Sequence, residues 1–175
     1  MADLKNSKTA ANLAYAFAGE SQARNKYTYF ASVARKEGYE QVAAIFEQTA
    51  NNEKEHAKLW FKELGLLGDT AANLQDAIGG ETYEFTKMYP EMIKEAEAEG
   101  QTAVAKYMDM VNKVEEVHAN LYKKAAADNH AFDNVDFYVC KVCGYTHEGP
   151  CDSCPVCGAK AAAFFKVDDA CCLNK

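Results

Sequence analysis

No cysteine occurs before Cys140 in this chain of 175 residues, although seven follow from there on. An odd set crowded at one end is a poor disulfide framework, and metal ligation is the better use of it. The opening residues Met1-Ala2-Asp3-Leu4-Lys5 hold no apolar signal core, which leaves a cytoplasmic location as the expectation. Positive charge is short as well: 19 Lys and Arg stand against 26 Asp and Glu, a formal balance of -7. That balance argues against a nucleic-acid partner. No apolar run approaches the roughly 20 residues that cross a bilayer, so no membrane association is expected. What remains, 49% hydrophobic and 26% charged, is the composition of a globular protein with room for one sizeable domain and one small one.

The first 127 residues carry helical periodicity. Leu13, Phe17, Glu20, Tyr27, Ala31 and Ala34 recur at spacings of three, four and seven, predicting a helix from Asn6 to about Lys36. Asn6 or Ser7 would cap it and Gly38 end it. A second helix is predicted from Glu40 to about Leu64, with Val42, Ile45, Phe46, Thr49, Glu53, His56, Trp60 and Leu64 inward. A third runs from Thr70 to about Gly100, with Gly79-Gly80 inviting a bend or a new helix start and Pro90 a kink or boundary. A fourth runs from Thr102 to about Ala127 on the stripe Val104, Met108, Val111, Glu115, His118, Tyr122 and Ala125. Asp128 to Asp136 reads as a linker. The segment from Phe137, with its Cys, Gly and Pro, is too small to stand on an apolar core alone. The predicted domains are therefore 1–135, a four-helix bundle, and 136–175, a small metal-bound domain with short β-strands.

Glu53 and His56 interrupt an apolar stripe three residues apart, one helical turn. Glu115 and His118 repeat the arrangement. A buried carboxylate costs several kcal/mol unless it is paired or holds a metal. Glu20 precedes Glu53 by 33 residues and Glu81 precedes Glu115 by 34, so each half is a helix with one Glu followed by a helix with Glu-x-x-His. This is the donor set of ferritin-like di-metal carboxylate bundles. Carboxylate oxygens with imidazole suit iron or manganese. Four carboxylates cancel the charge of two divalent ions. Glu84 adds a fifth acid on the side of Glu81. Tyr27, seven residues beyond Glu20, is placed either to hydrogen-bond a ligand carboxylate or to pack in the core.

Cys140-Lys141-Val142-Cys143-Gly144 and Cys154-Pro155-Val156-Cys157-Gly158 are matching knuckles that make a tetrahedral site of four sulfurs. Spacing alone does not choose structural zinc over redox iron. Cys151, Cys171 and Cys172 are left over and read as free thiols.

With both sites in view, the chain resembles rubrerythrin over nearly its whole length. The matching segments are Phe17 to Tyr27, Glu53-Lys54-Glu55-His56, Glu81-Thr82-Tyr83-Glu84, Glu115-Glu116-Val117-His118, and Cys140 to Gly158 followed by Phe164-Phe165. The resemblance implies a ferritin-like bundle followed by a rubredoxin-like domain. It implies two irons at a carboxylate-bridged site and one iron on Cys140, Cys143, Cys154 and Cys157. It implies a non-haem peroxidase that reduces hydrogen peroxide to water, with electrons arriving through the rubredoxin iron from an electron-donating reductase or rubredoxin. Glu53 and Glu115 would bridge, Glu20 and Glu81 would be terminal ligands, and His118 would hold one iron. His56 and Glu84 would exchange at the other, and Tyr27 would stand behind the ligands. A homodimer is also implied. The alternative is a ferroxidase or iron-handling protein of the same fold class, and a third reading is a zinc ribbon on an inert bundle. Cys151, Cys171 and Cys172 fall outside the family pattern.

Overall fold

The computed structural model describes residues 4–127 and 135–167. The chain divides into two compact units, Met1–Gly68 and Asp69–Lys175. Cys171 and Cys172, and residues 128–134 of the expected linker, lie outside the described residues.

The first unit is a helical hairpin of α1 (Lys8–Lys36) and α2 (Glu40–Glu63). Ser7 caps α1, its hydroxyl accepting from the N–H of Ala10 at 3.0 Å. The turn between the helices needs a left-handed residue, and Gly38 supplies it at φ 84°. The N–H of Tyr39 then closes back on the carbonyl of Ala34 at 2.9 Å. The buried residues of α2 are Ala43, Ala50 and Ala57, a seven-residue repeat of small side chains that lets α1 approach closely. Phe17 packs on Phe61, with ring centroids 5.0 Å apart. Phe46 meets Tyr27 and Phe30 at 6.2 and 5.5 Å.

The expected inward positions Val42, Ile45 and His56 are instead exposed, Ile45 by 66%. Alanines form the seam of the hairpin, and the larger apolar residues lie on a face that the two helices alone do not cover.

The second unit starts with α3 (Thr70–Tyr83), capped by Asp69, whose Oδ1 accepts from the N–H of Ala72 at 2.9 Å. Gly79 and Gly80 lie inside α3, which runs through them with no new helix start. A helical glycine costs only about 1 kcal/mol relative to alanine, and packing against α5 overrides it. The irregularity comes later, as a single π-helical turn at Glu84–Met88, where the N–H of Tyr89 reaches the carbonyl of Glu84. Pro90, which has no N–H to give, then sits in the first turn of α4 (Tyr89–Ala98). Pro90 thus marks a boundary, as expected. Helix α5 (Thr102–Ala127) packs on α3 and α4 and buries Ala105, Val114, Ala119 and Ala125. Its Val104 and Tyr122 are exposed, against the predicted stripe.

The chain ends, among the described residues, in a three-stranded antiparallel sheet. The strands are β1 (Phe137–Cys140), β2 (Thr146–Glu148) and β3 (Phe164–Lys166), in the order β2-β1-β3. Val139 pairs with Thr146 on one side and Phe165 on the other. Architecture and sequence expectation agree: mainly helical, then a small sheet. None of the described helices is long and apolar enough to cross a membrane.

Candidate metal centres

Each unit builds one carboxylate–histidine set. In the first hairpin, α1 presents Glu20, and α2 presents Glu53 and His56 one turn apart. In the second unit, α3 presents Glu81, and α5 presents Glu115 and His118. Within each set the ligand atoms lie within 4.8 Å of one another. The two sets share one geometry. His56 Nδ1 is 2.7 Å from Glu53 Oε2 and 4.0 Å from Glu20 Oε1. His118 Nδ1 is 2.8 Å from Glu115 Oε2 and 3.7 Å from Glu81 Oε2. In both, the acid of the Glu-x-x-His pair is the most sheltered donor: the side chains of Glu53 and Glu115 are 16% and 14% exposed.

Glu84 does not join the second set at that spacing, but it feels the charges of Glu81 and His118. Burial pushes its carboxyl above the ordinary range, and negative Glu81 pushes it further. Glu81 is raised too, first by burial. Positive His118 works against that shift, and Glu115 adds to it. These shifts mark carboxylates crowded together, a repulsion that a bound cation would relieve. Tyr27 lies among Phe30 and Phe46.

Sequence reasoning missed Tyr89. Its phenol is held protonated by burial and by the negative charge of Glu115, Glu84 and Glu81. Tyr27 is seven residues beyond Glu20, and Tyr89 is eight beyond Glu81. The π turn at Glu84–Met88 accounts for the additional residue. The internal repeat could have revealed this tyrosine had one inserted residue been allowed for.

The pH consequence of Glu81 follows from sign. Its folded value is raised above the ordinary 4.5, so the folded metal-free chain binds this proton more tightly than the unfolded chain does. That contribution is complete below the ordinary value and is lost as pH rises through the folded value. Metal-free protein is therefore expected to gain stability relative to a Glu81→Gln variant as pH falls toward 4.5. The metal-loaded protein should behave oppositely, because protonation expels the ion. Thermal melts of both proteins, with and without metal, check the two signs.

The four cysteines form the other site. Cys140, Cys143, Cys154 and Cys157 converge, with Cys140 Sγ 3.7 Å from Cys157 Sγ and Cys143 Sγ 3.5 Å from Cys154 Sγ. Four sulfurs about 2.3 Å from a central ion would stand about 3.8 Å apart, so the four thiols fit a tetrahedral metal. Gly144 and Gly158 follow the second cysteine of each knuckle at φ 83° and 75°. That turn lets the N–H of Tyr145 reach Cys143 and the N–H of Ala159 reach Cys157. Burial raises the Cys140 thiol, but N–H bonds from Cys143 and Val142, together with the Cys157 and Cys143 thiols, outweigh it and leave the group lowered overall. Burial leaves Cys143 and Cys157 raised. Preformed N–H donors aimed at sulfur favour thiolate, as a bound metal requires. Cys151 is not in the set, and its Sγ donates to the carbonyl of Ser153 at 3.1 Å.

Comparison with known proteins finds one family along nearly the whole chain. The family model described as Rubrerythrin matches residues 11–126, and that of the rubrerythrin rubredoxin-like domain matches 138–165. A rubrerythrin of Porphyromonas gingivalis is 41% identical, covering 92% of this chain and 90% of that protein. Rubrerythrin-1 of Clostridium acetobutylicum is 42% identical, covering 95% and 97%. Among solved structures, nigerythrin in its fully reduced, all-ferrous state matches with a TM-score of 0.56 at 35% identity, covering 95% of this chain and 91% of that one. The fold is thus ferritin-like with a rubredoxin-like domain, and the chain carries diiron-type carboxylate–histidine sets and a four-cysteine rubredoxin-like knot.

Proposed function

The chain belongs to the rubrerythrin family, and from that membership we propose that it is a non-haem diiron peroxidase that reduces hydrogen peroxide to water. The carrying observation is that one chain holds both a carboxylate–histidine donor set and a four-thiolate knot. A storage or ferroxidase protein has no use for the second.

Two ferrous ions bound by the carboxylates and histidines would supply the two electrons that split the O–O bond. Glu53 and Glu115, the most sheltered acids, are proposed as bridging ligands, with Glu20 and Glu81 terminal. His118 is proposed as a fixed ligand, and His56 and Glu84 as ligands that alternate with oxidation state. The carboxylates would offset the metal charge, and each imidazole presents Nδ1 to the glutamate of its own Glu-x-x-His pair. Tyr89, its phenol held protonated, can give a hydrogen bond to a developing negative oxygen. Glu84, whose carboxyl is raised by burial and by Glu81, holds its proton more tightly than an ordinary carboxyl does. Cys140, Cys143, Cys154 and Cys157 are proposed to hold the iron that returns electrons one at a time, drawn from a reductase or a separate rubredoxin. A cytoplasmic homodimer is the proposed setting.

The test is to reduce the iron-loaded protein anaerobically and mix it with hydrogen peroxide. Both centres are expected to reoxidise far faster than in air-saturated buffer. Equal or slower reoxidation by peroxide overturns the reading, and mineral uptake beyond the site stoichiometry would replace it with iron handling.

A further inference from the structure

Each unit supplies half of the donor set of a di-metal carboxylate bundle. The whole set is one Glu from each of two helices and a Glu-x-x-His from each of the other two. The first unit holds Glu20, Glu53 and His56, and the second holds Glu81, Glu115 and His118. The stripes that carry these donors also carry uncovered apolar residues. Val42 and Ile45 share the predicted stripe of Glu53 and His56, and both are exposed. Val104 and Tyr122 share that of Glu115 and His118, and both are exposed as well. Metal binding and apolar burial therefore make the same demand, that a first half meet a second half.

The connections decide which halves can meet. The short links at residues 37–39 and 99–101 turn α1 into α2 and α4 into α5 as antiparallel neighbours. A ferritin-like bundle has one long crossover. Here it has to fall between α2 and α3, which then point the same way. Glu53 stands ten residues before the end of α2, and Glu81 eleven after the start of α3. With both acids level at one site, those helix ends are about 31 Å apart along the bundle, at 1.5 Å per residue. Residues 64–69 would have to cross that distance. Their seven backbone steps reach at most about 25 Å when fully extended. The first of them are not extended. Leu64 is helical at φ -74° and ψ -8°, Gly65 turns left-handed at φ 72°, and the N–H of Leu66 closes on the carbonyl of Phe61 at 3.2 Å. The stretch free to extend, from Leu66 to Thr70, reaches about 14 Å. One chain cannot close this bundle on itself.

We propose that two copies of this chain exchange halves. The α1–α2 hairpin of one copy packs on the α3–α5 helices of the other, and the reverse. Each of the two bundles then receives Glu20, Glu53 and His56 from one copy, with Glu81, Glu84, Glu115 and His118 of the partner subunit. The link at residues 64–69 runs from one bundle into the next and no longer has to return along either. Two-fold symmetry makes the two bundles identical, and a hinge too short to close within its own chain favours such an exchange. The metal site is incomplete in a single copy. The exchange rests on the ligand assignment proposed above and not on the peroxidase chemistry.

The test combines two lesions, one in each half. Full-length Glu53→Ala and Glu115→Ala chains with different affinity tags are co-expressed, and the mixed dimer is isolated through both tags. In an exchanged dimer one bundle collects both lesions and the other collects two intact halves. The mixed dimer is therefore expected to bind half of the wild-type carboxylate–histidine iron, while each parental dimer binds it at least about a hundred-fold more weakly. Without exchange every bundle carries a lesion, so a mixed dimer as poor in this iron as its parents overturns the proposal. Parental variants that keep wild-type iron overturn the ligand assignment instead, and a second measurement then decides the exchange without metal. Sedimentation of the wild-type chain at micromolar concentration is expected to show a dimer. Inserting about 30 Gly and Ser residues after Gly68, with a reach of about 30 Å, lets the halves of one chain close on each other and is expected to give a monomer. A monomeric wild type, or a lengthened chain that stays dimeric, overturns the exchange.

Discussion

Replacing Cys143 by serine is expected to unfold the small domain while leaving the helices intact. The reason is what that domain has for a core. Among its described residues, only Cys140 and Cys154 are buried, at 1% and 2% exposure. The interior of the domain is the knot itself. Val139, Phe164 and Val167 are only half buried, and three strands of three or four residues do not hold themselves together in water. A structural tetrahedral metal of this type, with zinc as the measured case, contributes about 10–16 kcal/mol, more than a domain of this size draws from apolar burial. Losing one of four thiolates removes most of that. Metal analysis of the variant should show the four-thiolate ion gone and the ions of the carboxylate–histidine sets retained. Limited proteolysis should cut freely within residues 137–167, and far-ultraviolet circular dichroism should keep its helical amplitude. Cys151 is not expected to rescue the variant, because its Sγ is committed to the Ser153 carbonyl and lies outside the set of four. A variant that keeps its full metal content and its protease resistance would refute this account.

How far these features are legible in the sequence depends on their range. The Glu-x-x-His pairs are local: three residues on a helix fix their mutual geometry, and the structure shows 2.7 and 2.8 Å where that spacing points. The cysteine knuckles are local too, since a four-residue loop with a following glycine sets its own turn. Their pairing across ten residues is read from the repeated Cys-x-Val-Cys-Gly. The π turn is different. Helical periodicity assumes a constant 3.6 residues per turn, and one extra residue before Pro90 is invisible to it. That is why Tyr89 escaped notice and why the irregularity was sought at Gly79-Gly80. The exposure of Val42, Ile45 and Val104 escaped for another reason. A stripe tells which residues share a face. It does not tell whether alanines at the seam or larger residues beside them end up covered. The pairing of Lys124 with Glu148, 24 residues apart, had no local signal at all.

The internal repeat bears on how the metal sets arose within one chain. Each unit holds one lone Glu and one Glu-x-x-His on successive helices, and the Nδ1-to-carboxylate distances differ between the units by at most 0.3 Å. The second unit departs from the first by one residue, placed as the π turn that begins at Glu84. A π turn costs backbone regularity and is kept mainly where it serves a site. Here it coincides with the one acid that has no counterpart in the first unit and with the tyrosine whose phenol those acids surround.

Removal of Glu115 is the other change with a large consequence. Glu115 is the most sheltered donor of its set, 2.8 Å from His118, and it adds negative charge felt by both Glu81 and Tyr89. Glu115→Ala leaves one carboxylate and one imidazole in the set, too little charge to hold a divalent ion against water. Changing residues that merely support metal ligands costs about 10–100-fold in affinity or activity, so loss of a ligand should cost at least a hundred-fold. Peroxide-driven reoxidation is expected to fall by that factor, and iron content to drop at the carboxylate–histidine site. The four-thiolate iron and its visible spectrum should be unchanged, because Cys140, Cys143, Cys154 and Cys157 owe nothing to Glu115. The metal-free variant should melt no lower than metal-free wild type, since removing Glu115 also removes a repulsion that raises Glu81. Glu115→Gln separates charge from shape. It keeps the side-chain volume and loses the charge, and it should behave as the alanine variant does toward metal. A glutamine variant with wild-type iron content and peroxide reactivity would show that Glu115 packs the helix pair rather than holding a metal.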